Sequence, residues 1–128
     1  MYKPEEMVLK LNEFLEAEQF PPGQFKSLIK LFIERYKPEI KILDFDYYRE
    51  SSLHMAQKKK MKYVSIQDFE TAAKFRELEK ECLNYIEIKT EYNIKKSMFY
   101  YDQNYLFYFH LGTAKNDKKV KEYIKKLV

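Results

Sequence analysis

Residues 53–92 constrain the fold of this chain more than any other segment, because they combine two helical stretches with a tight acidic turn between them. The first stretch covers residues 53–63, and Ser65 is placed to cap the second. The second stretch contains no Gly or Pro over residues 66–92, so it predicts the longest helix of the chain. We therefore expect a helical hairpin.

A phenylalanine and two small residues follow the predicted turn. Ala72 and Ala73 lie three and four residues after Phe69, so one face of the helix is narrow enough for a neighbouring helix to approach closely. We expect the ring of Phe69 to plug the closed end of the hairpin, in contact with Leu53, Met61 and Val64 of the first helix.

The D-F-E turn, the paired alanines and Arg76 resemble the UVR motif, a short helical hairpin of the UvrB and UvrC repair proteins and of Clp-type AAA+ ATPases. The likeness covers about residues 53–82. It is greater to the Clp version, because Glu77 and Glu79 stand where the repair proteins usually have aspartate and then isoleucine. An ordinary helical pair that carries the same pattern by chance is the alternative.

The hairpin of that family mediates contact between proteins and carries no chemistry. The resemblance therefore implies a docking function, either onto another hairpin or onto an adaptor, and it allows a homodimer. Arg76 lies one turn beyond the alanines, where its planar guanidinium can reach carboxylates of a partner. The candidate partner-binding residues are Phe69, Glu70, Ala72, Ala73, Arg76 and Glu77.

The remaining segments predict a mainly helical α+β fold in one domain of residues 1–128. Apolar residues at helical spacing predict an N-terminal helix pair over residues 5–19 and 25–36, separated by Pro-Pro-Gly. Residues 39–48 predict a short strand or an extended connector.

The C-terminal third predicts a small antiparallel β-hairpin followed by a basic helix. Two aromatic-rich runs flank the turn residues 102–104, and Asn116 or Asp117 is placed to cap the helix. Both faces of the β-hairpin carry rings, and one of these faces can pack on the helices. The other face is covered by the chain itself, by a second copy or by a partner.

The lysines of the last helix support a second hypothesis, nucleic-acid binding. Residues 115–128 hold six lysines against two acidic residues, a surplus equal to the net charge of +4 of the whole chain. Aromatic strands beside lysines suit a single-stranded nucleic acid, whose bases stack on rings. The candidate residues are Tyr100, Tyr105, Tyr108, Lys118, Lys119 and Lys125.

Nothing in the sequence predicts an enzyme, a cofactor or a metal site. Asp44 and Asp46 are spaced to project from one face of a strand, and His54 and His110 are candidate bases, but no nucleophile is paired with them. The single Cys82 is expected to be a half-buried helix residue, and there is no spaced Cys/His set for zinc.

We expect a cytosolic protein, because the first residues form neither a secretory signal nor a membrane-spanning helix. The sequence thus favours a non-enzymatic protein-binding module that docks onto a larger protein. It fits an adaptor or regulator, and equally an inhibitor of the bacterial immunity-protein kind.

Overall fold

The computed structural model describes residues 3–45 and 49–128, and within them the fold is α+β and mainly helical, which confirms the predicted class. The predicted helix pair, helical hairpin, β-hairpin and terminal helix are all present. The elements are α1 (Pro4–Glu16), α2 (Pro22–Tyr36), β1 (Glu39–Asp44), α3 (Arg49–Ser65), α4 (Phe69–Glu91), β2 (Met98–Asp102), β3 (Tyr105–His110) and α5 (Asp117–Leu127).

Internal contacts divide the chain into two compact units. Unit 1 runs up to Asp44 and resumes at Lys96, so it contains the helix pair, the three strands and α5. Unit 2 is the segment Phe45–Lys95, which contains α3 and α4. The chain therefore leaves unit 1 after β1 and returns to it before β2. The prediction of a single domain concerns cooperative folding and stays a prediction.

The sheet of unit 1 has the strand order β1-β3-β2. β2 and β3 pair in antiparallel fashion, with Phe99 opposite Tyr108, as the predicted β-hairpin requires. β1 pairs with β3 in parallel, with Glu39 opposite Tyr105. The sequence predicted only a strand or an extended connector over residues 39–48. The pairing itself could not be predicted, because the partner strand β3 follows about 60 residues later, after the whole of unit 2. Residues 46–48 of that prediction lie outside the described residues.

The turn between β2 and β3 consists of Gln103 and Asn104, whose φ angles are 48° and 67°. Two successive left-handed residues form a type I′ turn, which matches the right-handed twist of paired strands. The sequence placed the turn at these residues, and Asn tolerates the left-handed conformation better than most side chains. This turn fixes the register in which the rings of β2 and β3 face each other.

Helices α1, α2 and α5 share one hydrophobic core with one face of the sheet. Phe25 lies at its centre, with ring centroids of four neighbours between 5.2 and 6.4 Å away. The sheet contributes Phe99, Leu106 and Tyr108 to this core, and α5 contributes Val120 and Ile124. The rings of Tyr105 and Phe107 alternate with these residues along β3 and therefore project from the opposite face.

A buried carboxylate joins α5 to the end of the sheet. Asp117 is the first residue of α5, and its Oδ2 accepts hydrogen bonds from Ser97 Oγ at 2.8 Å and from the amide of Gly112 at 2.7 Å. Its Oδ1 accepts a hydrogen bond from the hydroxyl of Tyr108. Burial of this hydroxyl, together with its bond to Asp117, raises the pKa of Tyr108 well above its usual value.

Candidate protein-binding site

The predicted hairpin lies in unit 2, and its turn consists of Ile66, Gln67 and Asp68, between the end of α3 and the start of α4. The hydroxyl of Ser65 donates to the carbonyl of Lys62 at 2.7 Å, so Ser65 ends α3. Asp68 caps α4, because its carboxylate accepts from the amide of Thr71 at 3.2 Å and from the Thr71 hydroxyl at 2.8 Å. The expectation that Ser65 caps α4 was wrong, because Ile66 and Gln67 lie in the turn between the two helices and α4 begins only after them.

Two contacts hold α3 and α4 side by side near the turn. The rings of Tyr63 and Phe75 stack at 5.6 Å with planes only 3° apart. One turn further from the tip, Lys60 Nζ lies 2.6 Å from Glu79 Oε2 in a part-buried ion pair. Ala72 is 4% exposed on the same face of α4 as Phe75 and Glu79. The two helices are therefore fixed close to the turn.

The tip of the hairpin, defined here as Met61, Val64, Ile66 and Phe69, presents apolar side chains to solvent. Their exposed fractions are 69%, 43%, 62% and 64%, respectively. Large apolar side chains that are exposed close together are typical of interaction surfaces. Ile66 was not among the partner-binding residues predicted from the sequence. An apolar residue in the short turn ahead of a capping aspartate was the available signal.

The expectation that Phe69 plugs the closed end of the hairpin was wrong. Ala72, Phe75 and Glu79 define the face of α4 that meets α3, and Phe69 lies roughly 90° round the helix from the middle of that face. Its ring consequently points away from α3, and neither Met61 nor Val64 is buried beneath it.

The structure separates the paired alanines. Ala72 is buried, whereas Ala73 is exposed on the side of α4 that also carries Phe69 and Arg76, at spacings of four and three residues. Glu70 and Glu77 are also exposed beside this line. Of the six candidate partner-binding residues, five are thus accessible, and Ala72 serves the packing of the hairpin. Cys82, expected to be half-buried, is fully buried in α4.

The charges around the tip are mostly positive. Residues 58–77 contain five lysines and one arginine against three acidic residues. One of these lysines, Lys60, is held by Glu79, and one acidic residue, Asp68, is held by the cap of α4. The exposed cations beside the apolar tip are Lys58, Lys59, Lys62, Lys74 and Arg76. The apolar tip is thus bordered mainly by positive charge.

The candidate nucleic-acid residues do not form one surface. Tyr108 is fully buried and hydrogen-bonded, so its ring cannot stack on a base. Tyr100 and Tyr105 are exposed, but they project from the face of the sheet opposite to α5. The exposed residues Lys118, Lys119 and Lys125 lie on α5, which packs on the core face.

The residues considered for catalysis are also placed apart. His110 Nδ1 lies 2.6 Å from Asp117 Oδ2, out of line for a hydrogen bond. Ser97 Oγ donates a hydrogen bond to the same oxygen at 2.8 Å. Asp44 forms an ion pair with Lys121 at 2.6 Å, His54 is exposed on α3, and Asp46 lies outside the described residues.

Within residues 3–45 and 49–128, no cluster of three or more His, Cys, Asp or Glu side chains is arranged to hold a metal ion. The helices of this same part of the chain include none with the length and apolar character needed to cross a membrane. The cytosolic location stays a prediction.

The chain matches none of the protein-family models, curated proteins or solved structures with which it was compared. The resemblance of residues 53–82 to the UVR motif therefore rests on the residues named above and stays a prediction.

Proposed function

We propose that this chain is a non-enzymatic protein-binding module that docks the tip of its helical hairpin onto a larger protein. It acts as an adaptor or regulator, or as an inhibitor of the immunity-protein kind. The observation that carries the proposal is the group of four exposed apolar side chains at the tip, Met61, Val64, Ile66 and Phe69.

The energetics of the tip favour a protein partner. Full burial of a side chain of this size contributes about 1.5–3 kcal/mol, so the four together can offset much of the free energy lost when two proteins associate. The stacked rings of Tyr63 and Phe75 and the ion pair of Lys60 with Glu79 hold α3 against α4 near the turn. A fixed surface loses less conformational entropy on binding.

The positive charge beside the tip determines which partner fits. Exposed lysines accelerate the encounter with an acidic surface more than they increase the final affinity. Arg76 can in addition form a bidentate pair with a carboxylate of the partner. We therefore propose a partner whose apolar groove is bordered by Asp and Glu side chains.

A photo-crosslinking amino acid at position 66 tests this function. The full chain carrying it is expected to form a covalent adduct with one protein in nuclease-treated extract, whereas the same amino acid at the exposed Leu9 of unit 1 is not. The captured protein is then purified, and its affinity is measured with wild-type chain and with variants.

Phe69→Ser is expected to weaken binding of the purified partner at least tenfold, because the loss of one buried aromatic anchor costs about 2 kcal/mol or more. Arg76→Ala is expected to weaken it as well, and Leu9→Ser serves as the matched control with an exposed apolar residue changed elsewhere. Equal affinity of Phe69→Ser and wild type would refute the proposal. Capture of nucleic acid alone from extract that has not been treated with nuclease, with steep loss at raised salt, would favour the second hypothesis.

A further inference from the structure

A cleft in unit 1 lies between the first turn of α2 and one side of α5. Its volume is about 230 Å³, and the following residues line it: Phe20, Pro22, Phe25, Lys26, Lys119, Val120, Glu122, Tyr123 and Lys126. A cavity of 150 Å³ is known to hold a benzene ring, so this cleft has room for one ring with a small substituent. It is too small for a dinucleotide or a drug-sized ligand.

Three rings of the cleft belong to one aromatic cluster. The centroid of Phe25 lies 5.2 Å from that of Phe20 and 5.9 Å from that of Tyr123. Phe25 is buried in the core, so the cluster is anchored to the fold. Rings held at such distances and tilted against each other offer edges and faces on which a further ring can pack.

The charged groups of the cleft are predominantly cationic. Lys26, Lys119 and Lys126 outnumber the single Glu122, and among the described residues none of these three lysines forms an ion pair. The Nζ of Lys26 lies 5.1 Å from the ring centroid of Tyr123, so one ammonium group stands directly over the aromatic wall. The positive end of α2 is at Pro22, beside the same lysines.

From these three features we infer that the cleft binds a small aromatic anion, a single ring that carries a carboxylate or a phosphate group. The ring packs on Phe20 and Tyr123, and the anionic group pairs with Lys26 and Lys119. This site lies in unit 1 and does not depend on the hairpin or on its partner.

Titration of the ¹⁵N-labelled full chain with phenyl phosphate tests the inference, with amide shifts as the readout. Benzyl alcohol supplies the ring without the charge, and inorganic phosphate supplies the charge without the ring. Phenyl phosphate is expected to bind at least tenfold tighter than either, and to shift amides of the first turn of α2 and of α5. Benzoate is expected to show the same preference over benzyl alcohol.

Two double variants locate the site. Lys26→Ala with Lys119→Ala is expected to weaken phenyl phosphate about tenfold, because charge-assisted hydrogen bonds to the anion are lost. Lys30→Ala with Lys125→Ala removes the same charge from exposed positions of the same two helices outside the cleft, and is expected to leave the affinity unchanged. All four positions are exposed, so both variants keep the fold.

Any of three results would overturn the inference: equal binding of phenyl phosphate and one of the two partial probes, shifts confined to residues outside the cleft, or equal loss in both double variants. None of them bears on the hairpin, whose function is tested separately by the captured partner.

Discussion

At the scale of single residues, the buried carboxylate of Asp117 links three separate segments of unit 1. It is 1% exposed, and it accepts hydrogen bonds from Ser97, Tyr108 and the amide of Gly112. These donors come from the segment before β2, from β3 and from the loop after it. The carboxylate therefore ties the start of α5 to two strands of the sheet.

Asp117→Asn is expected to lower the free energy of unfolding by about 3 kcal/mol. The amide has one acceptor atom instead of two and has no charge, so at least one buried donor loses its partner. Urea denaturation at neutral pH measures the loss. Glu122→Gln makes the same chemical change at an exposed position of the same helix, and is expected to change stability by less than about 0.5 kcal/mol.

Tyr108 makes stability depend on pH in the alkaline range. Burial, together with the hydrogen bond to Asp117, raises the pKa of its hydroxyl in the folded protein above the value of about 10 expected in the unfolded chain. The unfolded state therefore releases this proton first, and the contribution of Tyr108 is complete below about pH 10 and lost as pH rises beyond it.

The free energy of unfolding is consequently expected to fall above pH 10 by about 1.4 kcal/mol per pH unit more in wild type than in Tyr108→Phe. Urea denaturation of both proteins at pH 8, 9, 10 and 11 measures the difference in the free energy of unfolding. The other tyrosines titrate in both proteins, so their effect drops out of this difference. Parallel curves for the two proteins across this range would contradict the burial of the hydroxyl.

At the scale of the helices and strands, the paired alanines of α4 make an internal comparison. Ala72 is buried on the face that meets α3, and Ala73 is exposed one position further along. Ala72→Leu is expected to destabilise the protein by about 1–3 kcal/mol, since the added atoms have no room between the helices. Ala73→Leu is expected to change stability by less than about 0.5 kcal/mol.

The labelling rate of the buried Cys82 thiol measures this effect in unit 2 itself, because a thiol reagent reacts only when α4 opens. Faster labelling in Ala72→Leu than in Ala73→Leu is the expected order. The reverse order would mean that the narrow face of the hairpin is the one carrying Ala73.

Helices and tight turns of this chain could be predicted from the sequence because their signals are local. Each of these signals involves residues only a few positions apart. The start of α2 is marked by Pro22, its buried face by Phe25, Ile29 and Phe32, and the β-hairpin by its turn residues. The parallel pairing of β1 with β3 has no such signal, since strand alternation does not identify a distant partner.

In the candidate site, too, the sequence carries the local spacing along α4 but not the way in which α4 packs on α3. Helical spacing places Phe69, Ala73 and Arg76 along one line of α4, but it does not reveal which side of a helix meets its neighbour. That choice depends on the angle at which α3 and α4 are joined, which is set by the left-handed Gln67 and the cap at Asp68. Likewise, alternation along β3 separates Tyr108 from Tyr105 without stating which of the two is buried.

At the scale of the whole molecule, the last residue of β1 and the first residue of β2 are the points at which unit 2 is attached to the sheet. Asp44 lies opposite His110 and Met98 lies opposite Phe109, so the chain leaves and re-enters the sheet at the same end of β3. Strands β1 and β2 are two strand spacings apart there, which is about 10 Å. A loop of about six flexible residues can span that distance.

Replacing residues 45–95 by such a loop is expected to leave unit 1 folded, because all the residues of its core cluster belong to unit 1. Thermal unfolding followed by near-ultraviolet circular dichroism checks for a cooperative transition, and amide exchange checks that β1 and β3 are paired. A chain with no cooperative transition would show that unit 1 needs the hairpin to fold.

The insertion of the hairpin between β1 and β2 also sets an order of events during synthesis. Unit 2 is one continuous segment, whereas the core of unit 1 needs Val120 and Ile124, which the ribosome adds well after residue 95. At about 5–20 residues per second, that interval lasts roughly one to six seconds. A protein that recognises the hairpin tip can therefore meet it on the growing chain, before the core of unit 1 is complete.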